Sequence, residues 1–254
     1  MSIKLIKIVL ALLLSVTSPA YLSPIKLQTR TINSIKLNII YINLNNPKLS
    51  IQPAVAKPNE SIDDMLERLK PLAAINGTYF HDYIDYKPIT DIMVNKKLIY
   101  FGGIGTSMGI SLSNKIEFIP TKRYKHSELE QQKLHVLTAG PQLIINKKIK
   151  IDPMKEGFQD KRLLKKRIRS AIGTIKHKYA VLVTSKTPCS LQKFAKALKD
   201  IGLTNAINLD GGSSTFLMYD DKMIQKSKIK HASSMIIVRT NNDYWWKQWR
   251  SFIY

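Results

Sequence analysis

Cysteine occurs once in 254 residues, at Cys189. No disulfide can close within the chain, so stability must come from packing. A lone thiol without a partner pattern reads as a small buried or loop residue, not as a nucleophile. Acidic residues are scarce as well, with 18 Asp+Glu against 40 Lys+Arg and a net charge of +22. That balance argues against cationic partners and points to anionic ones, among which phosphate-bearing glycans, acidic lipid headgroups and nucleic acid all fit. A lysine-rich surface also serves solubility alone. No linker-like stretch divides the chain, and no period of roughly twenty to fifty residues repeats, which excludes a solenoid. With 44% hydrophobic residues and 8% aromatics, the composition is that of one globular domain with a substantial core, not of a disordered chain.

The one long apolar run is at the start. Met1 to Ala20 carries Lys4 and Lys7, then apolar residues from Ile8 to Val16, then Ser18-Pro19-Ala20. The run is short for a bilayer span, and the order charged, apolar, small is that of a signal peptide, with cleavage expected after Ala20. No cysteine near this point marks a lipoprotein. Removing Lys4 and Lys7 leaves +20 on a mature chain beginning at Tyr21, expected to be secreted or periplasmic. At the other end, residues 243–254 hold Trp245, Trp246 and Trp249 among basic residues. This tail suits a membrane interface and equally a terminal helix docked on the domain, and docking is slightly favoured.

Between leader and tail, residues 21–242 read as a single α+β domain, a mixed, largely antiparallel sheet with hairpins and few helices. Ser34 to Leu44 and Leu49 to Ala56 are strand-like and flank Asn45-Asn46-Pro47, which predicts a hairpin. Ser61 with Asp64 three residues later predicts a capped helix ending at Pro71. Further hairpins are expected over Asn95-Lys96-Lys97, Ser113-Asn114 and Asn146-Lys147-Lys148, with Lys122 to Lys133 as a surface excursion. His126 and His135 lack metal-ligand spacing and read as solvated surface residues. Ser190 predicts the N-cap of a second helix with Leu191, Phe194, Ala195, Leu198 and Ile201 on one face and Gly202 just past its end. Strands at the end of the chain, from Thr215 to Tyr219 and Met235 to Arg239, are expected to close the sheet.

Three polar, glycine-bearing segments adjoin apolar strands: Asn76-Gly77-Thr78-Tyr79-Phe80, Arg169-Ser170-Ala171-Ile172-Gly173 and Asn208-Leu209-Asp210-Gly211-Gly212-Ser213-Ser214. Taken singly, each is an ordinary turn or strand end. Together they supply backbone N–H donors that glycine lets approach an anion, rotatable serine hydroxyls, one bidentate guanidinium and one carboxylate. Loops at the carboxyl ends of strands are where ligands commonly bind.

These blocks resemble the phosphodiester glycosidase family over roughly Leu72 to Arg239. Ala74 to Phe80 is similar to its first block, Ala139-Gly140-Pro141-Gln142-Leu143 to its Gly-Pro block, Arg169 to Gly173 to its Arg-[Thr/Ser]-Ala-Ile-Gly block, and Ala206 to Ser214 to its Asp-Gly-Gly block. Thr78 stands where the family often has a second glycine, and two glycines follow Asp210 where many members have three. The resemblance implies an exported enzyme that cleaves a sugar from a sugar-1-phosphodiester. Asp210, Arg169 and Asn76 are then the expected catalytic residues. Gly77, Thr78, Phe80, Asn208, Gly211, Gly212, Ser213 and Ser214 are the expected substrate-binding set, with the N–H groups of Gly77, Gly211 and Gly212 facing phosphate oxygens. No cofactor is required; a divalent cation at Asp210 is compatible with the chemistry, although no ligand cluster is legible. The rival readings are a non-catalytic glycan- or envelope-binding module and, on charge alone, a nucleic-acid binder, against which the leader and the lack of a nucleic-acid motif both weigh.

Overall fold

The computed structural model describes residues 23–82, 84–120 and 132–241. The leader, the cleavage point, His126 and the tryptophan tail lie outside these residues.

Seventeen strands form three sheets, and every pairing among the described residues is antiparallel. The largest has the order β1(Ile25–Ile32), β2(Ile35–Asn43), β13(Tyr179–Ser185), β12(Ser170–Ile175), β14(Asn205–Asn208), β10(Gln142–Ile145) and β11(Lys148–Ile149). The second runs β16(Lys222–Gln225), β15(Leu217–Tyr219), β4(Ala73–Asn76), β17(Ser234–Thr240), β3(Leu49–Val55), and the third β6(Lys97–Tyr100), β5(Ile92–Val94), β9(His135–Ala139), β7(Thr106–Ile110), β8(Ile116–Pro120).

The three sheets meet on one shared core. Ile40, Ile42, Leu182 and Ile207 from the first sheet, Ile51, Ile75, Leu217 and Ile236 from the second, and Met108, Ile110 and Leu137 from the third pack together. The first sheet is buried on its other face too, because α2(Leu191–Asp200) lays Leu191, Phe194, Ala195 and Leu198 over Leu37, Ile39, Val181 and Val183. A strand covered on both faces loses polar alternation, which is why β2 and β13 read as nearly continuous apolar runs. Burial of each large apolar side chain contributes about 1.5–3 kcal/mol. The second sheet is backed by α1(Ile62–Leu69), whose Ile62 and Met65 meet Ala74, Met235 and Ile237.

Local signals hold where a few neighbouring residues decide. Ser61 and Asp64 form a full capping box, and Lys70 ends α1 in the left-handed conformation before Pro71. The Asn95-Lys96 and Asn146-Lys147 turns both have positive φ at both residues, the geometry of a tight hairpin. Three expectations are corrected. Strands β2 and β3 do not form a hairpin: β2 turns back through Asn33-Ser34 onto β1, while β3 pairs with β17 in another sheet. The strands at the end of the chain, β15 to β17, do close a sheet as expected, the second of the three. His135 is not a surface residue. It is 4% exposed on β9, its Nδ1 accepts from the Asn95 N–H at 3.2 Å, and burial lowers its pKa to about 4. Lys133, placed in the surface excursion by sequence, is likewise buried and paired with Glu117.

Candidate active site

The three glycine-bearing segments come together because β4 and β14 end at the same edge of the core. Asn76 closes β4, Asn208 closes β14, and Arg169 immediately precedes β12, which pairs with β14 through Ala171 and Asn208. A cleft of about 460 Å³ opens there. Tyr79, Phe80, Phe158, Asn208, Asp210 and Ser214 form part of its wall, with Arg162, Arg167 and Arg169 supplying positive charge.

Asp210 lines the cleft and is held firmly in place. Its backbone N–H donates to the Gly77 carbonyl at 3.1 Å, its carbonyl accepts from Asn76 Nδ2 at 2.6 Å, and Oδ1 accepts the Gly211 N–H at 2.8 Å. Removal from water raises the carboxyl pKa from 3.8 to about 6, against the opposing effects of a Ser214 hydrogen bond, the Gly211 N–H and the charge of Arg167. A carboxyl with a pKa near the operating pH can both take and give a proton.

Arg169 is 2% exposed and largely committed to holding the cleft wall. Its Nε donates to the Cys189 carbonyl at 3.2 Å and its Nη2 to the carbonyls of Leu163 at 2.9 Å and Lys165 at 2.5 Å. Nη1 makes no hydrogen bond among the described residues, so one corner of the guanidinium is left for an anion in the cleft that it lines. Arg167, exposed two residues earlier, has no side-chain partner among the described residues and stands over Gly212, with Nη1 3.5 Å from where a Cβ would sit.

The backbone donors expected to face phosphate are already engaged. The Gly77 N–H donates to the Ser234 carbonyl at 2.9 Å, the Gly212 N–H to the Ile168 carbonyl at 2.8 Å, and the Gly211 N–H to Asp210 itself. Glycine is needed at 77 for another reason: a Cβ would lie 2.4 Å from Ser234 Oγ and 2.9 Å from the backbone of that residue. At 211 a Cβ would lie 2.8 Å from the Ile168 carbonyl oxygen. Both glycines let strands and loops touch, and neither presents its N–H to the cleft.

The other expected residues divide similarly. Asn76 lies behind the wall, its Oδ1 accepting from Ser170 Oγ at 2.9 Å and the Phe216 N–H at 3.2 Å. Thr78 is buried, its hydroxyl 2.5 Å from that of Thr90. Phe80, Asn208, Gly211, Ser213 and Ser214 reach the cleft, whereas Gly77, Thr78 and Gly212 do not line it. Asn208 is 1% exposed; its Nδ2 donates to Tyr79 Oη at 2.5 Å and the Leu209 carbonyl at 2.7 Å, while its Oδ1 is buried with no donor. Unpaired buried acceptors are uncommon and call for a partner.

Sequence reasoning missed several residues that line the cleft, Phe158, Tyr79 and Arg167 among them. Tyr79 donates its hydroxyl to the Gly140 carbonyl at 2.6 Å, which ties the Gly-Pro block to Asn208, and burial holds the phenol above its usual pKa. It lay inside the first block, between residues that were singled out. Arg167 was hidden in a run of cations, although its i,i+2 spacing from Arg169 in extended chain places both on one side.

With this geometry in place, the comparisons are decisive at one level. A phosphodiester glycosidase profile matches residues 70–239. The chain belongs to the phosphodiester glycosidase family. Solved structures share its fold. A hypothetical protein from Synechocystis superposes with a TM-score of 0.74 at 16% identity, over 86% of this chain and 62% of that one, so the chain spans less than two thirds of that protein. The zebrafish N-acetylglucosamine-1-phosphodiester alpha-N-acetylglucosaminidase catalytic domain, auto-inhibited by its pro-peptide, gives 0.67 at 18% identity over 85% and 82%. A Burkholderia pseudomallei protein described as exported gives 0.62 at 11% identity over 81% and 74%. No curated protein matches the chain in sequence. At these identities the structural likeness is one of fold, and the family assignment rests on the matched residues.

Proposed function

We propose that the protein is an exported hydrolase that cleaves a sugar from a sugar-1-phosphodiester within a phosphate-bearing glycan. One observation carries the reading: a single cleft joins a carboxyl with a pKa of about 6, Asp210, to two arginines, Arg167 and Arg169, that have no ion-pair partner among the described residues. The phosphodiester anion fits between Arg169 Nη1 and the Arg167 guanidinium. The bond from the anomeric carbon to the bridging oxygen breaks, and its electron pair leaves on the phosphate as a second negative charge that the arginines stabilise. Such a leaving group needs little proton donation. Asp210, ionised above about pH 6, takes a proton from the water that attacks the electron-poor carbon, and the products are the free sugar and a phosphomonoester. Tyr79, Phe80 and Phe158 give the sugar ring an apolar wall.

Among the described residues no group of three His, Cys, Asp or Glu side chains is placed to hold a metal ion, and the proposal assigns Asp210 to water. The test is a screen of the purified protein against sugar-1-phosphodiesters, with and without added calcium and with chelator. Release of free sugar and phosphomonoester is expected. Saturable binding without release would overturn the enzymatic reading in favour of a glycan-binding module.

A further inference from the structure

A second cavity, of about 690 Å³, lies beyond the cleft and takes no part in the chemistry described. Its walls are of a particular kind. Tyr86, Tyr100 and His231 supply rings, and Asn59, Lys57 and Ser233 supply polar groups. The Asn59 amide and the Tyr100 hydroxyl have no hydrogen-bond partner among the described residues. A row of rings runs from the catalytic cleft to this cavity. Phe80, on the cleft wall, meets Tyr86 at 5.0 Å between centroids, and Tyr86 meets His231 at 5.2 Å, both pairs tilted by 44°.

Tyr86 also adopts a backbone conformation that its side chain does not favour. Its φ is 52°, in the left-handed region that bulky residues rarely enter and that costs on the order of 1–3 kcal/mol. A turn there would be better served by asparagine or glycine, so the ring sits against its backbone preference. Rings flanked by amide, hydroxyl and ammonium groups are the composition that takes an amphipathic ligand, with apolar faces and polar edges. A pyranose has both.

We propose that this second cavity is a subsite for a saccharide, and that it holds the glycan on the far side of the phosphodiester while the sugar to be released occupies the cleft. The substrate is then a phosphodiester carrying an oligosaccharide, and not a small alkyl or nucleoside diester. The reaction partner is named on the assumption that the cleft performs the hydrolysis proposed above, whereas saccharide binding in the cavity stands without it.

Two probes separate the possibilities: the methyl ester of N-acetylglucosamine-1-phosphate, and the same sugar phosphate esterified to a hydroxyl of maltotriose. The intact protein should process the maltotriose diester with a kcat/KM about tenfold above the methyl diester, the scale of one aromatic contact. Tyr86→Asn suits the left-handed backbone and so should fold, but it removes the ring. It should abolish that preference and leave the methyl diester unchanged. Tyr100→Phe, which removes one hydroxyl, should lower the preference in part. Equal rates on both probes in the parent, or equal losses on both in Tyr86→Asn, would overturn the subsite. If the parent cleaves neither probe, hydrolysis of this sugar phosphate fails, the general hydrolytic reading is left to the screen above, and the subsite is judged by maltotriose titration. A saturable shift of the His231 ring protons that is lost in Tyr86→Asn supports it, and no shift, or one unaffected by the substitution, overturns it.

Discussion

The side-chain amide of Asn76 donates to the backbone carbonyl of Asp210 at 2.6 Å, across 134 positions of sequence. With Asp210 N–H on the Gly77 carbonyl and Ser170 Oγ on Asn76 Oδ1, this contact fastens all three glycine-bearing segments to one another. Asn76 therefore fixes the peptide that carries the carboxyl. The carboxyl itself is held in a dry setting that raises its proton affinity, and the consequence is an opposition between function and stability.

Asp210→Asn tests that opposition. The folded pKa of about 6 exceeds the ordinary 3.8, so the folded chain binds this proton more tightly than the unfolded chain. The stabilisation is fully present below about pH 4 and is lost as pH rises through about 6. Asn keeps an acceptor for the Gly211 N–H and removes the ionisation. The variant should be more stable than the parent at pH 8, by an amount of order 1–3 kcal/mol at about 1.4 kcal/mol per pKa unit, and the difference should vanish near pH 4. Turnover should fall by orders of magnitude. Melting temperatures at the two pH values and single-turnover rates check both, and parental turnover in the variant would remove Asp210 from the chemistry.

The two cleft arginines should respond differently. Arg167 is exposed and its side chain has no partner among the described residues, so Arg167→Ala should raise KM for a phosphodiester about tenfold while changing stability by less than about 0.5 kcal/mol. Its charge lowers the pKa of Asp210, so the ascending limb of kcat/KM against pH should move upward in the variant. Arg169→Lys weakens binding as well, but it also removes a guanidinium that bonds the carbonyls of Leu163, Lys165 and Cys189. A loss of roughly 1–3 kcal/mol is expected on top of the binding defect, since buried carbonyls are left unpaired. Steady-state kinetics and thermal melts separate the two patterns.

His135 should set the acid limit of the fold. Its pKa falls from 6.5 to about 4 through burial, aided by the charge of Arg239. A depressed histidine contributes stability that is present above the unfolded pKa and is lost as pH falls toward 4. Over the same interval Asp210 acts with the opposite sign, so the parent's stability should be flatter there than either residue alone would make it. His135→Gln keeps an acceptor for the Asn95 N–H and removes the titration. Melts between pH 7 and 4 should show the variant losing less stability on acidification than the parent, and identical slopes would place the acid sensitivity elsewhere.

Short-range features were legible without the structure. Ser61 and Asp64 specify a helix start because their side chains bond backbone groups three residues apart, and the apolar face of α2 follows from its period alone. The blocks around Asn76, Arg169 and Asp210 could be located and assigned to a family. Sequence could not say which strand β2 would join. Its apolar run states that both faces are buried, not by what, and the tight Asn33-Ser34 turn settled it against the longer connection to β3. Nor could it say which glycine N–H groups were free, since their acceptors, Ser234 and Ile168, arrive from distant strands and loops. The composition of the cleft was thus fixed by the order of residues. The roles within it, with Asn76 behind the wall, Arg167 at its mouth and Asp210 raised to a pKa of about 6, were decided only by tertiary packing, because desolvation and hydrogen-bond supply are properties of the neighbours that folding brings.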